Sequence, residues 1–347
     1  MRPKLVSPDL TRSDMTQPPT IATLDLIGAE AASVLGDGPL RLCDASEPAD
    51  DGAPWSIRVG IDREGRLPDA DPATFDTLIT TAVDAPAPWV TVAAPRLDGQ
   101  LASVAETARR APIACHIFAR LLRLGETLPA EAALEMESLG YSTLLAGGEF
   151  ARWRSGCAPG ADHRTAPAPV RYARDGDAVR LTLASPENRN AMTAPMRDAL
   201  FEALCSICDD PTGPAVTLDA EGPCFSTGGH LPEFGTAPDL ALAHAIRTMR
   251  SAARLLIALG DRATVRVHGA CIGSGIEIAA AAAHRVARRG SFVQLPELRM
   301  GLVPGAGGTV TLGRAIGRHR LMWLALGAFR LPATTAQTWG LFHRIES

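Results

Sequence analysis

Two glutamates, each in a glycine-rich frame, are the residues of this chain best placed to do chemistry: Glu277 in His268-Gly-Ala-Cys-Ile-Gly-Ser-Gly-Ile-Glu277, and Glu297 in Leu295-Pro-Glu-Leu-Arg-Met-Gly-Leu-Val-Pro-Gly-Ala-Gly-Gly-Thr309. Glycine has no Cβ, so peptide N–H groups in such frames reach a ligand oxygen at hydrogen-bonding distance. Acyl transfer and enolate chemistry need that arrangement. With one carboxyl group to donate or remove a proton at carbon and a second to hold a water, the pair suits addition of water across an activated double bond.

The elements around the frames alternate between strand and helix. Ala178-Val-Arg-Leu-Thr-Leu183 alternates like a strand, Met192 to Cys208 has helical spacing, and Ala215-Val-Thr-Leu218 reads as a second strand. A helix from Leu240 to about Leu259 leads to a third strand, Ala263-Thr-Val-Arg-Val267, then the first glycine frame and a small apolar helix, Glu277 to Ala283. This order predicts an α/β domain with a largely parallel sheet. The first half repeats it faintly: a strand at Ser56 to Ile61, a helix from Pro72 to about Val83, a strand at Trp89 to Ala93, then a helical block from Leu97 to Trp153. Glu135, Glu137 and Glu149 fall in that block, where solvated or capping roles are expected.

Residues 1–20 read as a disordered tail and 155–169 as a Pro-, Gly- and Ala-rich linker, so the expected units are 21–154 and 170–347. A chain of 347 residues, 46% apolar and with a net charge of −4, is large enough for a substantial core and carries no electrostatic footprint for nucleic acid or an anionic membrane. It lacks an apolar run of membrane-spanning length and a signal-peptide core, so cytoplasmic localisation is expected. The seven cysteines are odd in number and scattered, which favours reduced thiols, and Cys205-Ser-Ile-Cys208 lacks the second ligand pair of a zinc site, so no metal is expected. Lys4 is the sole lysine, which excludes a Schiff-base lysine in the body of the protein, and no glycine-rich segment has the Gly-Lys-Ser/Thr ending of a P-loop.

From about Val179 to Ile345 the sequence resembles the crotonase (enoyl-CoA hydratase/isomerase) superfamily through motifs in matching order: Ser185-Pro-Glu-Asn-Arg-Asn-Ala191, Cys224-Phe-Ser-Thr-Gly-Gly-His-Leu231, Gly269 to Glu277, Pro296-Glu297, and Gly301-Leu-Val-Pro-Gly-Ala-Gly-Gly308. The resemblance implies a spiral of stacked ββα turns with two roughly perpendicular sheets. It also implies backbone oxyanion donors at Gly229 and Ser274, with the positive end of the helix starting near Gly275 aimed at the same oxygen. Glu297 would exchange the proton at Cα, and Glu277 would help it hold the water that attacks Cβ. The adenine end of CoA would lie near Arg189, Asn190 and Ala191, with His230, Leu231 and Gly273 beside the acyl part. His230 stands where the family usually has Asp, and His268 and Cys271 read as packing residues.

The implied function is an enoyl-CoA hydratase-type lyase that needs no cofactor beyond the CoA of its substrate and assembles as a trimer or hexamer. An enoyl-CoA isomerase, a thioester hydrolase and a non-catalytic acyl-CoA-binding scaffold are the alternatives. Family members continue past a Gly-Leu-Val-like segment into a covering helical section, and the block from Leu97 to Trp153 is similar to it. The N-terminal half is therefore expected to be a degenerate copy of the same fold whose helical end covers the active half, the alternative being an unrelated N-terminal domain.

Overall fold

The computed structural model describes residues 33–36, 38–47, 55–157 and 167–347, so the expected tail and most of the expected linker lie outside the described residues. The first described elements form a four-stranded, all-parallel sheet in sequential order: β1 (Leu40–Asp44), β2 (Ile57–Asp62), β3 (Thr77–Thr80) and β4 (Trp89–Thr91). The helix expected from Pro72 to Val83 is absent. Asp71 caps only a short 3-10 turn, Pro72–Thr74, and the β-branched Thr77, Ile79 and Thr80 then enter β3, all of them buried. Four helices follow: α1 (Ala94–Arg110), α2 (Pro112–Gly125), α3 (Ala130–Leu145) and α4 (Gly148–Ser155). Glu149 of α4 takes a capping role, accepting from the N–H of Ile113 at 2.8 Å and of Ala114 at 2.9 Å at the start of α2.

In the second half, β5 (Val170–Asp175) and β6 (Ala178–Leu183) form an antiparallel hairpin leading to α5 (Ala194–Cys208) and β7 (Ala215–Ala220). The single helix expected from Leu240 to Leu259 is two helices, α6 (Leu240–Met249) and α7 (Ala252–Leu259). Ser251 explains the break: its side chain accepts from the N–H of Arg254 and restarts the helix as an N-cap. Next come β8 (Ala263–Val267), β9 (Ala270–Ile272), α8 (Ser274–Ala279), β10 (His284–Arg288) and β11 (Phe292–Gln294). The remaining elements are α9 (Gly308–Ile316), α10 (Arg318–Gly327), β12 (Leu331–Pro332), α11 (Ala333–Thr338) and β13 (Arg344–Glu346).

From β8 to β11 successive strands alternate between two sheets, as expected of a ββα spiral. β8 and β10 are parallel neighbours in a six-stranded sheet of order β13-β10-β8-β7-β6-β5, while β9 and β11 pair in a three-stranded sheet of order β12-β11-β9. Gly269, Gly273 and Gly290 take positive φ at the steps from β8 to β9, β9 to β10 and β10 to β11. The Glu277 frame occupies the second step, while Glu297 lies on the connection from β11 to β12 within the three-stranded sheet.

One apolar core runs through both halves, from Ile57 and Phe118 to Leu181, Leu324 and Phe342. The helical block lies against the second half as expected: α1 packs on α10, α2 on α9, α3 on α6 and α9, and α4 on the turn at Glu297–Met300. The crossovers from β2 to β3 and from β3 to β4 carry turns in place of the helices of a full ββα unit. No helix among the described residues is long and apolar enough to cross a membrane.

A buried arginine also joins the halves. Arg318, at the start of α10, donates to the carbonyls of Phe75 and Pro72 at 2.6 Å each and to Glu126 at 3.0 Å. Arg318→Ala should lower stability by about 3 kcal/mol, the sum of two charge-assisted hydrogen bonds of roughly 1.5 kcal/mol each. Urea unfolding checks this, and a loss below about 1 kcal/mol would show that apolar contact alone holds the halves together.

Candidate active site

Glu277 sits in α8, a six-residue helix entered from β9 through Gly273, and its side chain is buried. Its Oε2 accepts from the N–H of Ala306 at 2.7 Å and of Gly308 at 3.0 Å. Glu297 opens the 3-10 turn after β11 and is also buried, with no partner for Oε2 among the described residues. A Cβ on Gly273 would lie 2.5 Å from Glu297 Oε1, so glycine at that corner lets this carboxylate come up against the start of α8. Both carboxylates line a single cavity of about 390 Å³.

Backbone donors stand at the same cavity. Met192 donates to the Gly228 carbonyl and accepts from the His230 N–H, a parallel bridge that turns the N–H of the intervening Gly229 away from the Met192 strand. Ser274 is the first residue of α8, so its N–H is one that the helix cannot satisfy. Gly229 and Ser274 both line the cavity, and the Ser274 hydroxyl is itself a buried oxygen without a partner among the described residues.

A third carboxylate enters from the N-terminal half. Glu137 of α3 is 2% exposed and lines the cavity. It accepts from the N–H of Gly307 and of Thr309 at 2.7 Å each and from the Thr309 hydroxyl at 2.6 Å. Of the roles expected for it, the solvated one fails and the capping one holds, since it caps α9 across the two halves. The signal was its helical phase, which it shares with Ala133, Leu134 and Leu144 on the buried face of α3.

The structure brings Glu277, Glu297, Gly229, Ser274 and His230 together around the cavity, while Arg189, Asn190, Ala191, Leu231 and Gly273 lie outside its lining. Asn190 is fully buried and its side chain is used within the protein: Oδ1 accepts from Ser185, and Nδ2 donates to the carbonyls of Glu221 and Cys224. Arg189 is exposed in a left-handed turn, and Leu231 is exposed. Neither ring nitrogen of His230 has a hydrogen-bond partner among the described residues, and Nδ1 lies 3.6 Å from Glu233. Cys271 is buried in the core, and His268 contacts the carbonyl of Gly222. Among the described residues no group of His, Cys, Asp or Glu is arranged to hold a metal ion.

Burial dominates the electrostatics. It pushes Glu297 up to about 8, with the Glu137 charge adding to the shift. It raises Glu137 to about 7 against the pull of its hydrogen bonds to Thr309 and Gly307. Glu277 is raised well above the carboxylate range, first by burial and then by the charges of Glu297 and Glu137. Buried carboxyl groups that raise one another do not all ionise, so at least one neutral acid stands in the cavity near neutral pH.

Raised carboxyl pKa values mean that the folded state holds protons which the unfolded chain releases. This contribution to stability is fully present below about pH 4.5 and is lost as the pH rises through about 7 to 8. Glu297→Gln should therefore flatten the fall in unfolding free energy between pH 5 and 8, and an unchanged slope would show that Glu297 titrates normally. Glu137→Ala strips two buried N–H groups of their acceptor and should cost roughly 3 kcal/mol. Glu135→Ala on the exposed face should cost under about 0.5 kcal/mol. Equal costs in denaturant titrations would contradict the buried cap.

A profile described as enoyl-CoA hydratase/isomerase matches residues 175–347. The enoyl-CoA isomerase/hydratase fer4 of Mycosarcoma maydis is 30% identical over 174 residues, 48% of this chain and 64% of that protein. The 1,2-epoxyphenylacetyl-CoA isomerase of Escherichia coli is 31% identical over 172 residues, 48% of this chain and 65% of that protein. The chain thus spans a little under two thirds of the length of these curated relatives. A crystal structure of enoyl-CoA hydratase from Thermoplasma volcanium aligns at 28% identity and a TM-score of 0.47, covering 52% of this chain and 72% of that one. Residues 175–347 of this chain belong to the enoyl-CoA hydratase/isomerase family of the crotonase superfamily.

Proposed function

We propose that the protein is an enoyl-CoA hydratase-type lyase. The observation that carries this reading is the shared cavity, where two buried glutamates from separate corners of the spiral meet the backbone at Gly229 and Ser274. The thioester oxygen accepts from those two N–H groups, which draws electron density from the double bond and makes Cβ electrophilic. Glu277, fixed by Ala306 and Gly308, helps Glu297 orient a water whose oxygen bonds to Cβ as its proton passes to a carboxylate. Glu297, held largely protonated by burial, gives its proton to Cα. α8 has only six residues, so its dipole adds little beyond the Ser274 N–H itself.

Outside the cavity, exposed Arg189 suits a CoA phosphate, and Asn190 and Ala191 contribute backbone to the adenine end. His230, Leu231 and Gly273 border the acyl part. No cofactor beyond the substrate's CoA is called for. The proposed assembly is a trimer or hexamer in the cytoplasm, with the N-terminal half as a degenerate copy of the fold.

Isomerisation is the second reading, favoured by the relatives whose names include it. It needs one carboxylate to carry a proton between carbons and adds no water. Glu277→Gln should lower enoyl-CoA hydration by about 10² or more, as expected for the loss of a positioned acid-base group. A product panel separates the readings, since hydration gives a 3-hydroxyacyl thioester, isomerisation a shifted alkene and hydrolysis a free thiol. Acyl-CoA binding without turnover, unaltered when both glutamates become glutamine, would favour the scaffold.

A further inference from the structure

Four arginines line the cavity, and three of them have carboxylate partners. Arg197 pairs with Asp198 at 2.8 Å, Arg250 with Asp198 at 3.1 Å and Arg254 with Glu131 at 3.5 Å. Arg247 has no carboxylate within ion-pair distance among the described residues. Its Nη1 donates to the hydroxyls of Ser138 and Ser142 at 3.0 Å each and to the Ser138 carbonyl at 3.3 Å, and its guanidinium lies 4.4 Å from the ring centroid of Tyr141. Glu137 feels its charge, yet both Glu137 oxygens are already committed to Gly307 and Thr309. These contacts fix the guanidinium without neutralising it.

The consequence lies in which edge is used. Every partner of Arg247 is on Nη1 or the ring face, so Nε and Nη2 have none among the described residues. These two atoms form the side-on fork that meets both oxygens of a carboxylate in parallel. Arg247 stands one aromatic ring away from the turn that holds Glu277, because a Cβ on Gly305 would fall 2.4 Å from the Tyr141 ring. A cavity of about 390 Å³ has room for a short acyl group rather than for the nucleotide of CoA.

We propose that Arg247 is a specificity-determining residue that binds a second carboxylate at the far end of the acyl group, so that the substrate is the CoA thioester of a short unsaturated dicarboxylic acid. This rests on the acyl-CoA reading above and adds the substrate class to it.

The test compares kcat/KM of the full chain on two thioesters of equal length, glutaconyl-CoA and 2-pentenoyl-CoA, in the wild type, Arg247→Met and Arg247→Lys. The wild type should favour glutaconyl-CoA at least about 10-fold. Arg247→Met should lower that ratio by roughly 10 to 100-fold, the range of a charge-assisted hydrogen-bonded pair. Arg247→Lys should fall between them, since it keeps the charge and loses the fork. Equal use of both thioesters by the wild type overturns the proposal. So does an equal loss on both in Arg247→Met, the result expected if Arg247 served a phosphate of CoA. Calorimetric binding of the saturated pair, glutaryl-CoA and pentanoyl-CoA, reads the same preference without turnover. Inactivity on both enoyl thioesters would thus count against the hydratase reading, while a missing binding preference counts against Arg247.

Discussion

The start of α9 presents consecutive N–H groups that have no acceptor inside the helix, and glutamates from opposite halves of the chain divide them. Ala306 and Gly308 go to Glu277, and Gly307 and Thr309 go to Glu137. Each carboxylate is buried at the cost of its hydration, and each recovers part of that cost from alternate amides of the same turn. The turn in turn keeps its shape because both sides pull on it. Glu137 of α3 and Glu277 thus share one turn, which ties the covering helices to the glutamate-lined cavity.

The arrangement also sets the protonation of the cavity. Glu277 and Glu137 have amide donors that favour their charged forms, whereas Glu297 has one oxygen with no partner among the described residues. Burial outweighs these donors, so all three carboxyl groups are shifted toward their neutral forms. The asymmetry follows from the backbone around each residue, since the three side chains are chemically the same.

How much of this was legible in the chain depended on whether the cause was local. The frames of Glu277 and Glu297 could be read because glycine at a tight corner leaves a compositional mark, and Ala263 to Val267 forms the strand that its alternation predicts. The break at Ser251 and the strand at Thr77–Thr80 were missed because capping and burial overrode an ambiguous apolar pattern. Glu137 is one of three acidic residues on helical patterns, and among local features only its helical phase separates it from Glu135. Only its position facing α9, some 170 residues later, makes it a buried cap. Asn190 is expected beside the adenine end of CoA, but its side chain is spent inside the turn, where its Oδ1 accepts from Ser185.

The order of the two halves along the chain has its own consequence. Helices α1 to α4 leave the ribosome before the elements they cover, so Glu137 is already synthesised on its helix when the glycine-rich turn that it caps emerges. The roof is made before the room, and the last helices of the spiral can dock on a surface that is waiting for them.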